Sequence, residues 1–93
     1  MIQRALTLCN RLGLHARAAS KLVQCAARFE SNVWLSFRDK RVNAKSIMGI
    51  LLLGAPCGSE LTAEVEGPDE EDAIAALEQL VLDRFGEDQW VSR

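Results

Sequence analysis

One stretch of this sequence has the residue types for group transfer: Leu12-Gly13-Leu14-His15-Ala16-Arg17-Ala18-Ala19. It carries the single histidine of the chain, and imidazole is the side chain best suited to taking and giving up a group near neutral pH. The hydrophobic pattern changes here from alternating to helical. His15 therefore falls at a helix start, where backbone N–H groups are free and the dipole end is positive. That end favours the neutral ring, whose lone pair can attack phosphorus. Once attached, a phosphoryl group would face the amides of Ala16, Arg17 or Ala18, and the fork of Arg17 can reach the same anion. His15 and Arg17 are the candidate catalytic residues.

Most isolated histidines lie on a surface or cap a helix and do no chemistry. Three features set this one apart: its place at the helix start, Gly13 just before it, and Arg17 in the first turn. A hydrolase triad would need partners from distant segments and a deep cleft that 93 residues hardly provide. A metal centre needs several ligands, which one histidine and scattered thiols do not supply, so neither metal nor cofactor is expected.

The surrounding elements follow from periodicity. Residues 2–8 alternate, with Ile2, Leu6 and Leu8 on one side, although Arg4 blurs the pattern. From Ala16 to about Arg28, Ala19, Leu22, Val23, Ala26 and Ala27 form the apolar stripe of a helix. Asn32 to Phe37 and Lys40 to Ala44 read as a hairpin. Ser46 is an N-cap for Ile47 to Leu53, read as a two-turn helix, although so short an apolar run also suits a buried strand. Glu60 to Glu66 is a clean strand. Asp69 then caps a long helix whose stripe runs through Ala73, Ile74, Leu77, Leu80, Val81 and Phe85.

The order is β-α-β-β-α-β-α, with one apolar face per strand. The economical packing is a single sheet with helices on one side, and the hairpin makes it a mainly antiparallel α+β sandwich. Residues 1–86 make this domain, and 87–93 read as a frayed tail despite Trp90.

Bulk composition narrows the function. Net charge is −2 and the pI is near 5.3, which argues against a nucleic-acid partner. No run is long and apolar enough to insert in a membrane, and no secretory signal is visible, so the expected place is the cytoplasm. Cys9, Cys25 and Cys57 show no metal-ligand spacing and read as reduced, partly buried thiols. The helix at Ile47 is apolar almost all round, so some of Ile47, Met48 and Leu51 should be exposed. Such patches mark docking surfaces; the alternative is a segment buried on all sides.

Leu12-Gly13-Leu14-His15-Ala16-Arg17, followed by Asn43-Ala44-Lys45-Ser46-Ile47-Met48-Gly49-Ile50, closely resembles the HPr family of the bacterial phosphotransferase system. The likeness spans roughly residues 2–85 and implies an open-faced sandwich, a four-stranded antiparallel sheet with three helices on one face. It implies a phosphocarrier whose His15 takes phosphate on Nδ1 from phosphorylated enzyme I and hands it to an enzyme IIA-type acceptor, assisted by Arg17. Such a chain is a phosphorelay intermediate rather than a free-standing enzyme, and is expected to be a monomer. The resemblance maps a regulatory phosphorylation onto Ser46, served by a serine kinase/phosphorylase. It maps docking onto Leu12, Leu14, Ile47, Met48 and Leu51. Sugar-transport members usually have proline in place of Ala18. The His15-Ala16-Arg17-Ala18-Ala19 form and the Leu82 to Asp88 ending look like the nitrogen-related branch, NPr. Alternative readings are a sugar-transport HPr, or a regulatory binding module acting through Ile47, Met48 and Leu51. A small-molecule binding domain of similar element order would need a pocket that no motif suggests.

Overall fold

In the computed structural model, which describes residues 1–87, the expected elements are present in the expected order. They are β1 (Ile2–Thr7), α1 (Ala16–Ala27), β2 (Asn32–Phe37), β3 (Lys40–Asn43), α2 (Ile47–Leu53), β4 (Glu60–Glu66) and α3 (Glu70–Leu82). A 3-10 turn, Arg84–Gly86, follows. The sheet has the order β1-β4-β2-β3, and every pairing is antiparallel. The last strand in sequence therefore lies inside the sheet, between the first and the second.

Alternation decides which side of the sheet the helices cover. Val33 and Leu35 in β2 and Leu61, Ala63 and Val65 in β4 are buried, and they pack with Leu22, Ile50, Leu77 and Phe85 into one core. Each buried Val, Leu, Ile or Phe side chain contributes about 1.5–3 kcal/mol, and these neighbours hold Ala63 in its strand despite its weak strand preference. Arg4 shares the inward face of β1, opposite Ala63, yet β1 is an edge strand. Its guanidinium reaches out to Glu78 of α3 at 2.8 Å, so it breaks the alternation without burying a charge. On the open face Arg41 of β3 stacks over Trp34 of β2, 4.4 Å from the ring centroid, and bonds Glu64 of β4 at 2.8 Å.

The choice of helix for Ile47–Leu53 is correct, because both ends are capped. Ser46 Oγ accepts from the Gly49 amide at 3.1 Å, and Gly54 closes the helix in the left-handed conformation (φ 60°).

Four expectations need correction. Asp69 sits at the N-cap of α3, but its side chain makes no cap bond. It accepts instead from the Glu30 and Ser31 amides and the Ser31 hydroxyl, and these bonds hold its carboxyl below the ordinary value of 3.8. Phe85 is buried but does not extend the helical stripe: α3 ends at Leu82, and Phe85 enters the core from the turn after it. Cys57 is exposed rather than partly buried; Cys9 is half-buried and Cys25 buried, and all three thiols are free. Glu87, expected to open a loose tail, is held in place at the histidine site described below. Residues 88–93, with Trp90, lie outside the described residues.

Among the described residues no helix is long and apolar enough to cross a membrane.

Candidate functional site

The turn between β1 and α1 is built to set His15 against the helix start. Gly13 has φ 66°, and a Cβ there would lie 2.5 Å from the Ala55 carbonyl oxygen and 2.8 Å from Pro56 Cα. Only glycine allows both the backbone conformation and the approach. The close approach lets the Leu14 amide bond Ala55 O at 3.0 Å, and Leu14 is buried beneath the loop. Leu14 is therefore an anchor of the turn, and its assignment to a docking surface is corrected. Asn10, also buried, donates from Nδ2 to Gly13 O at 2.8 Å and closes the turn from the other side.

His15 is the N-cap of α1, with extended backbone, and its ring replaces the usual cap oxygen: Nδ1 accepts from the Arg17 amide at 3.4 Å. That bond is long and weak, so Nδ1 gives it up easily. Nε2 bonds the carboxylate of Glu87, whose other oxygen accepts from Asn10 Nδ2 at 3.0 Å. A carboxylate oxygen only accepts, so Nε2 carries the ring proton and Nδ1 has the lone pair. The Arg17 amide points to the same tautomer independently, because an N–H can only donate to an unprotonated nitrogen.

The remaining expected site residues are placed as follows. Arg17 is exposed, and among the described residues its guanidinium has no hydrogen-bond or ion-pair partner. Ala16 is exposed, whereas Ala18 is wholly buried. No group of three or more histidine, cysteine or acidic side chains among the described residues could hold a metal ion.

The second expected surface adjoins the first. Because Gly13 and Leu14 rest on Ala55 and Pro56, just past α2, the His15 turn and α2 are neighbours. Leu12 (64% exposed), Ile47 (43%), Met48 (68%) and Leu51 (36%) are all open, as is Leu52, which the sequence did not single out. Ser46 is exposed at the start of this helix with its hydroxyl engaged as the cap.

Sequence reasoning missed Glu87 and Asn10. Glu87 lies 72 residues from His15 in a stretch without periodicity, and no local pattern could join the two. Asn10 reads as an ordinary turn residue, and only its burial reveals a second task.

A family model described as the PTS HPr component phosphorylation site matches residues 2–83. The phosphocarrier protein HPr of Cupriavidus necator is 52% identical over 87 residues, covering 94% of this chain and 98% of that one. Among solved structures, HPr-C-His from Thermoanaerobacter tengcongensis aligns with TM-score 0.91 and 45% identity, covering 95% of this chain and 99% of that one. HPr from Bacillus anthracis aligns with TM-score 0.83 and 41% identity, over 86% and 95%. A match spanning the strands, the histidine turn and α2 together leaves one conclusion: this chain belongs to the HPr family of phosphocarriers.

Proposed function

We propose that this carrier takes its phosphoryl group on Nδ1 of His15, from a phosphorylated enzyme I, and passes it to an enzyme IIA-type acceptor. The observation that carries this reading is the state of the ring. Nδ1 keeps its lone pair and faces the amide end of α1, while Nε2 is occupied. The amides of Ala16 and Arg17 and the guanidinium of Arg17 receive the phosphoryl oxygens. A ring that already bonds the Arg17 amide transfers without a large rearrangement, and the carrier acts as a relay rather than as a free-standing enzyme.

Donor and acceptor dock in turn on the surface formed by Leu12, Ile47, Met48 and Leu51, with the protein as a cytoplasmic monomer. A phosphate added to Ser46 by a serine kinase would place a dianion beside that apolar patch and weaken docking. Ala18 supports the nitrogen-related branch, in which phosphate flows to a regulatory acceptor. It stands at the third position of α1, where the missing amide of a proline would remove no helix bond.

The deciding experiment supplies phosphoenolpyruvate and enzyme I from the same cell and maps any phosphate added. Acid-labile phosphate on His15, absent from a folded His15→Ala protein, is the expected result. No labelling by a competent enzyme I overturns the reading. The exposed α2 patch favours a second role, regulation by docking. If His15→Ala stops phosphate flow but still regulates a bound partner, docking alone carries that signal.

A further inference from the structure

Beyond the histidine turn, the chain takes an unusual path to bring one more charged group to the ring. After α3, Arg84 and Phe85 both adopt left-handed backbone (φ 55° and 54°), and Gly86 continues at φ 75°. Residues other than glycine are disfavoured in this conformation, because Cβ crowds the backbone carbonyl oxygen. Phe85, buried in the core, holds this turn, as does Lys21 of α1, whose Nζ donates to Phe85 O at 2.6 Å. The turn delivers Glu87, with its side chain only 8% exposed, onto Nε2 of His15. Asn10 steadies the carboxylate from below. Its Nδ2 serves both Gly13 O and Glu87, while its Oδ1 is buried without a partner among the described residues. A buried oxygen left without a partner is unfavourable, so this asparagine is placed for its donors.

We infer that Glu87 is a positioning residue for phosphoryl transfer through His15, acting by holding the proton on Nε2 throughout the cycle. This inference rests on the phosphocarrier reading of His15. In the free protein the carboxylate fixes the tautomer with the lone pair on Nδ1. When Nδ1 forms its bond to phosphorus, the donor's bond to phosphorus breaks and its electron pair leaves with the donor. The Nε2 proton stays, the ring becomes cationic, and Glu87 balances the charge. On onward transfer the Nδ1–P pair returns to the ring, which departs as neutral imidazole. Without the Nε2 proton the leaving group would be an imidazolate, which is far poorer. One carboxylate thus assists both loading and unloading. Glutamine cannot replace it, because it offers one acceptor oxygen where Asn10 and His15 need two.

The test compares wild type with Glu87→Gln and Glu87→Ala in the full chain. It uses nitrogen-15 NMR of the ring, together with rates of phosphate uptake from enzyme I and of release from the purified phosphoprotein. In wild type the neutral ring should carry its proton on Nε2, and the phosphorylated ring should keep it. In the variants the neutral ring should show both tautomers, and uptake and release should each slow by about 10- to 100-fold, the loss that follows removal of a carboxylate orienting a metal-bound imidazole. A merely structural role would lower the melting temperature and leave ring proton and release rate unchanged; that result overturns the inference. The same holds if only one variant folds and it behaves as wild type. Failure of wild type to take phosphate on His15 would instead sink the underlying reading.

Discussion

Gly13 shows how little freedom the His15 turn has. Its positive φ and its contact with Ala55 and Pro56 are separate constraints, and alanine violates both. Gly13→Ala should destabilise the protein by about 1–3 kcal/mol. A thermal melt measures that, and phosphate uptake should fall further than stability alone explains, because the ring loses its alignment with the Arg17 amide. His15 itself was legible from sequence, since a histidine at a change of period is a local signal. Its partner was not. The bond from Nε2 to Glu87 depends on three left-handed residues in a row, and two of them, Arg84 and Phe85, are types that avoid that conformation. Backbone strain of this kind is set by tertiary packing and leaves no trace in composition or spacing.

At the level of elements, strands and helices could be read from sequence because each buries one face, and burial imposes a period of two or of about 3.6. What failed was the assignment of caps. Asp69 has the right residue type and position for capping α3, but two open amides at Glu30 and Ser31 claim its carboxylate instead. Glu70 accepts from the Gly67 amide at 3.1 Å, a bond to the loop before the helix that leaves the cap position unfilled. Ser46 by contrast caps α2 as expected, and seven residues make a helix too short to stand without help. Ser46→Ala should cost about 1 kcal/mol, read by thermal or denaturant unfolding. Because α2 adjoins the His15 turn, the loss should also weaken docking of the donor, which binding measurements with enzyme I would detect.

Across the whole molecule, Asp69 ties the corner between α1 and β2 to the start of α3. Its carboxyl is held below its ordinary value chiefly by the Ser31 hydroxyl and then by the Glu30 amide. Asp69 therefore stabilises the fold while ionised: fully above pH 3.8, and progressively less as pH falls through its lower folded value. Asp69→Asn should melt below wild type at neutral pH, and the gap should close as the protein is taken below pH 3.8 in paired melts. The ion pairs Arg4–Glu78 and Arg41–Glu64 are half exposed on their arginine side and belong with pairs worth about 0–1 kcal/mol. Sheet order was the one global feature that periodicity could not settle, because any arrangement of four amphipathic strands buries the same faces.

That order bears on the timing of synthesis. β1 leaves the ribosome before the other three strands, yet among the described residues its only neighbour in the sheet is β4, which begins at Glu60. Until then the emerging chain can form a single hairpin, β2 with β3, and an isolated hairpin is marginal in water. His15, which follows β1 directly, is thus translated early and acquires its surroundings late. With Glu87 as its ring partner, a chain cut short of Glu87 carries the histidine motif but lacks the group that bonds Nε2.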